Sequence, residues 1–420
     1  MSGALLQAVR SLVGGLPRTY WVLWTGTLIN RLGGFVVPFL ALYLTRQRGF
    51  TVEQAGLVAS LHGAGTVLAG PLGGTLADRL GRRITLAGGL WLGAGGMLFL
   101  GFSREPFWIA VAAFTLGTVG ELYRPAVSAA IADVVPPADR TRAFSLLYWV
   151  INVGFAAALP IAGLMTRYGY LLLFIADAIT TFLYGCAIWV LLPETRPTRP
   201  EGEAAPARSS SAVGSVLAPF KDPVFIAFGV PVFAVALIFF QGHMALPLDL
   251  SQRGLTEAQF GMVLAVNGVL IVLLQPFIGG TVARLKRSTA LALAAVLTGV
   301  GFGLHALSAS MGLAMLAVVV WTLGEIAQAP VAPTVVADLA PTELRGTYQG
   351  AYNMLWGLAA CAAPALGGQM LGRFGATALW LVCLAVGVVA AVWHLAIAGA
   401  RRRRLESLRA LRPGISASAD

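Results

Sequence analysis

Apolar runs separated by short polar and charged segments recur along the whole chain. A transmembrane helix needs about 20 consecutive, mostly apolar residues. Runs of that length predict twelve membrane spans, which we number in chain order, at 18–46, 53–78, 84–103, 107–134, 142–167, 170–192, 223–248, 257–283, 289–308, 311–338, 346–372 and 375–399. The pattern therefore predicts an all-α integral membrane protein.

A segment of different composition divides the spans into two sets of six. Residues 193–222 are rich in proline, serine, alanine and charged residues and have no apolar helical face, which is typical of a surface linker. We therefore predict four parts: an N-terminal six-helix bundle at 1–192, a cytoplasmic linker at 193–222, a C-terminal six-helix bundle at 223–400 and a basic cytoplasmic tail at 401–420.

The composition agrees with a membrane protein and bears on its orientation. Hydrophobic residues make up 57% and charged residues 11% of the 420 residues, and the mean hydropathy of +0.79 is far from that of soluble domains. The formal net charge is +11, but most basic residues fall in segments on the same side of the predicted spans as the N-terminus. Because such a bias reports membrane orientation, we expect both termini in the cytoplasm and no nucleic-acid partner.

The two halves of the chain resemble each other. Gly120–Glu121 in span four and Gly324–Glu325 in span ten open matching stretches, and Ala132–Asp133 is matched by Ala337–Asp338. Because each half has an even number of spans, both copies run in the same direction across the membrane. The sequence therefore predicts two pseudo-symmetric bundles related by an axis along the membrane normal.

A segment rich in charged residues and glycine lies between spans two and three, at residues 74–86 with the sequence GTLADRLGRRITL. It places one carboxylate among three guanidiniums, which can hold it by bidentate hydrogen bonds, and two glycines let the backbone bend. The segment resembles the loop between spans two and three of the major facilitator superfamily of secondary transporters, G-x-L-a-D-r-x-G-r-[rk]-x-x-l. It agrees at Gly74, Leu76, Asp78, Arg79, Gly81, Arg82, Arg83 and Leu86.

The resemblance covers essentially the whole chain, and it is specific because the motif falls where the second and third of twelve spans meet. It implies a six-plus-six helical fold around a central cavity, alternating access by rocking of the two halves, and a conformational latch at the charged turn. We expect this latch to contain Gly74, Asp78, Arg79, Gly81, Arg82 and Arg83, with Asp133 and Arg140. We also expect Asp133 and Asp338 to contact Arg140 and Arg345.

Few ionisable side chains lie inside the predicted spans. A charge at the bilayer centre costs about 2.5 to 3.5 kcal/mol on insertion scales, so such residues are functional candidates. Glu121 and Arg124 are three residues apart in span four, share a helix face and can pair. We predict that they couple proton movement to transport, together with Arg31 in span one and Glu325 in span ten; the alternative is a static ion pair that fixes helix packing. Asp177 in span six is interpreted as a helix cap or local hydrogen-bond acceptor.

Polar and aromatic residues on several spans could line a substrate cavity, although each could equally form an interhelical hydrogen bond or a packing contact. The candidates are Asn30, Tyr123, Tyr148, Trp149, Asn152, Gln241, His243, Asn267, Gln328, Tyr352, Asn353 and Trp356.

The sequence contains no phosphate-binding G-x-x-x-x-G-K-[ST] motif, so ATP is not the expected energy source. The histidines have no ligand-like spacing to cysteine or acidic residues, so we expect no metal. We expect no cofactor, with the proton gradient as the source of energy. We predict no enzyme activity, because no nucleophile and base are arranged for catalysis, and the duplicated midplane acids argue against a receptor.

Pro38 after Gly33–Gly34, and Arg140 in the loop after span four, resemble the bacterial 12-span drug/proton antiporter branch of the superfamily. Two positions depart from that branch: Leu159 stands where a glycine is typical in span five, and Arg31 stands in span one where an acid is typical. We expect a monomer in the bacterial cytoplasmic (inner) membrane that exchanges a small-molecule substrate, hydrophobic or drug-like, for protons. The alternative is a proton-linked carrier of a specific metabolite or lipid-like molecule.

Overall fold

The computed structural model describes residues 14–195, 218–283, 285–341 and 344–410. Apart from short turns and loops, these residues form helices. In chain order they are α1 (Arg18–Leu32), α2 (Val36–Leu42), α3 (Val52–Leu80), α4 (Arg82–Phe102), α5 (Pro106–Gly120), α6 (Tyr123–Val134), α7 (Arg140–Met165), α8 (Tyr170–Leu191), α9 (Pro223–Gln252), α10 (Glu257–Ala283), α11 (Arg287–Leu304), α12 (Met311–Leu339), α13 (Arg345–Ala396) and α14 (Ala398–Ala410).

Eleven helical segments among the described residues are long and apolar enough to cross a membrane. The longest, α13, contains one residue with non-helical backbone angles, Gly375 (φ 79°, ψ 169°), which divides it into two spans. The described helices therefore supply twelve spans. This confirms the prediction of an all-α, multi-pass membrane protein.

Spans one and four are each built from two helices. In span one, α1 ends at Leu32 and α2 begins at Val36, and a π-helical turn, Tyr43–Gln47, completes the span. In span four, α5 ends at Gly120 and α6 begins at Tyr123. A break of this kind frees backbone N–H and C=O groups where no water is at hand, so neighbouring groups must satisfy them.

Helices α3 and α5 cross with their backbones in contact, one turn before the break in span four. A Cβ atom added to Gly117 would lie 2.0 Å from the carbonyl oxygen of His62, and one added to Gly65 would lie 2.4 Å from the carbonyl oxygen of Phe114. Small residues are what allow membrane helices to approach so closely. The crossing therefore helps to fix the position of Glu121, four residues further along span four.

Close contacts group the chain into two compact units, which do not follow the two sets of six spans. Unit 1 contains Met1–Glu201, His243–Val272 and Pro364–Gly372, and unit 2 contains Gly202–Gly242, Leu273–Ala363 and Arg373–Asp420. The predicted bundle boundaries at 1–192 and 223–400 stay predictions. Much of the predicted linker, 196–217, and the end of the predicted tail, 411–420, lie outside the described residues.

Each unit has its own apolar core. In unit 1, Leu23, Leu90 and Ile188 are buried around Tyr20, whose hydroxyl donates a hydrogen bond to the carbonyl oxygen of Ala143 (2.9 Å). The core of unit 2 is built from spans seven, nine, ten and eleven; it includes Phe225, Phe228, Leu291, Val336 and Tyr348. A buried tyrosine hydroxyl needs a partner, so the hydrogen bond of Tyr20 ties span one to span five.

Candidate functional site

Glu121 lies at the break in span four. The residue has backbone angles of φ −106° and ψ −3°, so α5 stops at Gly120 and the chain re-enters a helix at Tyr123. The Glu121 carboxylate forms an ion pair with Nε of Arg124, and the two side chains are 24% and 53% exposed. The pairing predicted from their spacing in the sequence is therefore confirmed.

The second predicted cation, Arg31, does not pair with Glu121 but contacts the residue beside the break. Its Nη2 donates to the hydroxyl of Tyr123 (2.9 Å), and that hydroxyl donates to Oδ1 of Asn30 (3.3 Å). The Nδ2 of Asn30 in turn donates to Oγ1 of Thr181 in span six (2.9 Å). A continuous chain of hydrogen bonds therefore joins spans one, four and six at the depth of the two breaks.

Asp177 completes this chain and closes the break in span one. Its side chain is 3% exposed, and Oδ2 accepts hydrogen bonds from the backbone N–H groups of Phe35 (3.1 Å) and Val36 (3.2 Å). Its Oδ1 accepts from Thr181 (3.4 Å). Asp177 thus serves as the cap that the sequence indicated, but for α2 of span one and not for its own helix.

Replacing Asp177 with alanine should destabilise the protein markedly. The two N–H groups of Phe35 and Val36 would be left without their acceptor inside the protein, and each such loss costs about 1 to 3 kcal/mol. Asp177→Asn keeps one acceptor oxygen and should cost less than Asp177→Ala. Thermal unfolding of the purified variants in detergent measures the difference; an alanine variant as stable as the native protein would contradict the capping role.

The ionisable groups near the two breaks include two acids, Glu121 and Asp177, and two guanidiniums, Arg31 and Arg124. The carboxylate of Glu121 is held by the guanidinium of Arg124, three residues further along the chain. Arg124 is the more exposed of the two partners. The break in span four therefore carries an ion pair whose two side chains both keep exposed surface.

Glu325 is the counterpart of Glu121 in the second repeat, and its surroundings in unit 2 differ from those of Glu121. Helix α12 runs unbroken from Met311 to Leu339, so Glu325 sits within a continuous helix and Glu121 at a break. One turn earlier, the Trp321 ring packs edge-on against Phe239 at a centroid distance of 5.8 Å. Phe239 also packs against Trp356 at 5.8 Å. The repeated glutamates therefore occupy unlike environments.

The predicted cavity residues fall into both units, and several are satisfied by the protein itself. In unit 1, Asn152 donates to the carbonyl oxygen of Tyr148 in its own helix (2.9 Å). In unit 2, Gln241 donates to the carbonyl oxygen of Ala363 (3.0 Å). Gln241 therefore forms the interhelical hydrogen bond that was the alternative to a role in binding, whereas Asn152 bonds within its own helix.

The other cavity candidates differ in exposure. Trp149 is 39% exposed, Asn353 is exposed, and the His243 ring faces Phe155 at a centroid distance of 6.5 Å. The buried candidates are Asn30, Tyr123, Asn267, Gln328 and Tyr352. Their assignment to a substrate cavity stays a prediction.

Arg82 is the centre of the charged turn between spans two and three. Its guanidinium bonds to Oδ1 of Asp78 (3.0 Å), Oδ2 of Asp133 (2.9 Å) and the carbonyl oxygen of Ala77 (2.9 Å). The backbone N–H groups of Arg82 and Arg83 donate to the carboxylate of Glu194 (2.8 and 3.2 Å). The turn therefore joins the ends of spans two, four and six within unit 1.

The two glycines of the turn have different roles. Gly81 has φ of 101°, which L-residues with a side chain rarely adopt, and it separates α3 from α4. Gly74 lies inside α3, and a Cβ atom there would meet nothing within 4 Å. The expected bend at Gly74 is therefore absent, and the turn is confined to Gly81.

The expected partners of Asp133 and Asp338 are corrected by the structure. Asp133 pairs with Arg82, and Asp338 pairs with Arg287 at the equivalent position of the second repeat. The side chain of Arg140 instead donates to the carbonyl oxygens of Ala132 (2.6 Å) and Val135 (3.2 Å). The last carbonyls of a helix lack intrahelical donors, so the nearby Arg140 satisfies them and leaves Asp133 to the turn.

We expect Asp133→Asn to slow transport more than Asp78→Asn. The Asp133 side chain is 17% exposed and that of Asp78 is 74% exposed, although both bind Arg82. An exposed ion pair contributes about 0 to 1 kcal/mol, whereas loss of a charge-assisted bond to a largely buried group costs about 1.5 to 3 kcal/mol. Initial transport rates with one substrate measure the order of the two effects, and unchanged substrate selectivity in both variants is expected of a latch. A larger effect at Asp78 would contradict this ranking.

A second ionic cluster, which sequence reasoning missed, lies at the opposite end of unit 1. Arg46, at the end of span one, forms an ion pair with Glu257 at the start of span eight and a hydrogen bond with Ser251. The hydroxyl of Tyr170 also donates to Glu257 (2.9 Å). We call these four residues the far-end cluster. Arg46 and Glu257 are 211 residues apart, so no local pattern could have paired them.

Comparisons with known proteins agree with this architecture. The family model described as Major Facilitator Superfamily matches residues 23–252 and 242–417. The chain is 26% identical to a Na(+), Li(+), K(+)/H(+) antiporter of Planococcus maritimus over 81% of the chain and 88% of that relative. It is also 26% identical to multidrug resistance protein MdtH of Aeromonas salmonicida, over 88% of the chain and 92% of the relative.

Solved structures support the same fold. The crystal structure of the peptide transporter POT in complex with sulfate superposes with a TM-score of 0.75 at 21% sequence identity, covering 93% of this chain and 96% of that one. At 21% sequence identity, this similarity shows only that the two proteins share a fold.

Proposed function

Because the chain belongs to the Major Facilitator Superfamily, and is therefore a multi-pass membrane transporter and not an enzyme, we propose that it is a proton-coupled efflux transporter. In this proposal it exchanges hydrophobic or drug-like compounds from the cytosol for incoming protons by alternating access. The protein would act as a monomer in the bacterial inner membrane, with both termini in the cytoplasm.

The observation that carries the proposal is the ion pair of Glu121 and Arg124 at the break in span four. A structural ion pair inside a membrane protein can often be replaced by apolar residues at little loss, whereas a carboxylate that gains and loses protons must remain ionisable and accessible. Both side chains keep exposed surface. This combination favours a proton site over a static packing contact.

The proposed cycle starts from the ionised pair. Protonation of Glu121 removes its charge and frees Arg124, whose cationic group then needs another partner. Tyr123, beside the break, holds Arg31 and Asn30 of span one through its hydroxyl. A movement at the break in span four would therefore be transmitted through Tyr123 to the break in span one. There, Asp177 caps α2.

Two ionic clusters at opposite ends of unit 1 support the alternating-access part of the proposal. The charged turn around Arg82 lies at one end, and the far-end cluster of Arg46 and Glu257 lies at the other. Phe39 and Phe260 pack edge to face near the far end, with ring centroids 5.4 Å apart. Alternating access requires bonds that form at one end as they open at the other, and each cluster could serve as such a lock.

The names of two relatives support proton exchange and efflux. One is an antiporter of alkali cations and protons, and another is a multidrug resistance protein, both at 26% identity. The aromatic packing of one candidate cavity residue, Trp356, against Phe239 and Phe240 favours a hydrophobic substrate over an alkali cation.

The proposal is tested with the native protein in liposomes that contain a pH-sensitive dye. Under an imposed pH gradient, hydrophobic compounds from a chemically broad panel should move against the proton flux, and each should change the internal pH when it is added. Sodium, lithium and potassium are tested in parallel. Absence of proton movement with every compound would overturn the proposal, and a response to a single metabolite would favour the dedicated carrier.

A further inference from the structure

The last helix, α14, is held against the end of unit 2 where spans seven, nine and eleven begin. Nη2 of Arg401 donates to Oγ of Ser288 (2.7 Å), and Nη2 of Arg404 donates to Oδ2 of Asp222 (3.3 Å). The same Asp222 oxygen accepts a hydrogen bond from the hydroxyl of Tyr348 (2.9 Å). These contacts fix which face of α14 is turned toward the protein.

Helical periodicity leaves two arginines on the opposite face. Side chains at positions i, i+3, i+4 and i+7 share one face of a helix, and here that face is the less exposed one, formed by Arg401, Arg404, Leu405 and Leu408. Arg402 and Arg403 are exposed, with the Arg402 side chain 79% exposed. Glu406 approaches Arg402 only at 3.8 Å, which leaves most of the guanidinium free to bind a ligand.

Three further exposed cations lie next to the residues that anchor α14. Lys221 precedes Asp222, Lys286 lies two residues before Ser288, and Arg345 lies one turn before Tyr348. We call the set Lys221, Lys286, Arg345, Arg402 and Arg403 the basic rim. Its members come from different parts of the chain, yet the contacts of α14 place them at one end of unit 2.

The residues of the basic rim lie at the ends of membrane-spanning helices. Span twelve ends at Ala396, and six residues at a helical rise of 1.5 Å separate Arg402 from that end by at most about 9 Å along the helix. The headgroup layer occupies roughly 5 to 8 Å on each side of the hydrocarbon core. The long arginine side chains can therefore reach the headgroups of the adjoining leaflet.

We propose that the basic rim binds the phosphate groups of anionic phospholipids in the leaflet at its own end of the spans. Guanidinium groups match phosphate oxygens with two parallel hydrogen bonds, and a basic residue near an anionic membrane surface favours binding by about fivefold. The bound lipids would hold α14 at the membrane surface, against the ends of spans seven, nine and eleven. The role goes beyond setting membrane orientation, which needs the charges only during insertion.

The test compares lipid retention by the native protein and by Arg402→Gln/Arg403→Gln. Each is reconstituted in nanodiscs of equal amounts of phosphatidylglycerol and phosphatidylcholine, and retained lipids are counted by native mass spectrometry. The native protein should retain phosphatidylglycerol preferentially. In the double variant, the ratio of retained phosphatidylglycerol to retained phosphatidylcholine should fall by at least about fivefold. Arg104→Gln removes an exposed arginine of unit 1 and should leave the preference unchanged.

Three further measurements distinguish binding of lipid phosphates from binding of soluble anions and from loss of the helix: a lysine variant, high salt and added inorganic phosphate. Arg402→Lys/Arg403→Lys keeps the charge and should restore most of the preference, and 1 M salt should weaken it because the screening length falls to about 3 Å. An equal preference in the native protein and the glutamine variant would overturn the proposal. So would displacement of the retained phosphatidylglycerol by inorganic phosphate at millimolar concentration, since the site would then be one for soluble anions.

Discussion

Glu121→Gln should reduce gradient-driven efflux to the level of liposomes without protein. Glutamine has nearly the shape of a protonated glutamate and can still accept a hydrogen bond from Arg124, but it cannot release a proton. The variant should therefore bind substrate and exchange labelled for unlabelled substrate across the membrane. It should fail to build a concentration gradient from a pH gradient. Efflux and exchange measured in the same liposomes separate these two activities.

The controls place the effect at Glu121 and not at acids in general. Glu105→Gln changes an exposed glutamate outside the spans and should leave efflux intact. Glu325→Gln tests the second repeat, where α12 is unbroken; if it alone abolishes coupling, the proton site lies in span ten. Native efflux with an unchanged pH dependence in Glu121→Gln would contradict the proposed mechanism.

The sequence predicted those features that depend on neighbours along the chain. Apolar run lengths located all twelve spans, including the boundary at Gly375 inside α13. The spacing of Glu121 and Arg124 predicted their ion pair, which forms although Glu121 lies at the break before α6. The repeat also located equivalent aspartates, Asp133 and Asp338, at the ends of their spans.

The partners of these residues across the fold could not be predicted in the same way. Asp133 binds Arg82, 51 residues away, and not the nearby Arg140. Asp177 caps backbone groups at Phe35, 142 residues away. A hydrophobic pattern indicates which face of a helix is apolar, but it does not state which helix crosses it or at what depth. Those facts follow from close packing among all the spans, and only the structure supplies them.

The breaks in spans one and four were also not predicted from the sequence. Both halves of each broken span are apolar, so the run of hydrophobic residues continues across the interruption. Gly33 and Gly34 permit the first break, but glycine is common in membrane helices and does not by itself indicate one. What distinguishes the first break is the carboxylate of Asp177, which replaces the missing backbone acceptors.

Gly117→Val should destabilise the protein more than any surface substitution and should also impair coupling. Even a Cβ atom at Gly117 would lie 2.0 Å from the carbonyl oxygen of His62 and 2.9 Å from its carbonyl carbon. These are backbone atoms, so α3 and α5 would have to move apart as whole helices. Overpacking of this kind costs typically 1 to 3 kcal/mol and occasionally more; a backbone clash belongs to the upper end, at about 3 kcal/mol. Thermal unfolding in detergent measures this loss.

The consequence for coupling follows from where the crossing lies. Glu121 begins the break four residues after Gly117, where the backbone of α5 touches that of α3 at His62. Separating α3 from α5 would therefore displace the proposed proton site together with the helix. Gly95→Val is the matched control, because a Cβ atom at Gly95 in α4 meets nothing within 4 Å. If Gly117→Val and Gly95→Val were equally stable and equally active, the crossing would not be the contact that positions Glu121.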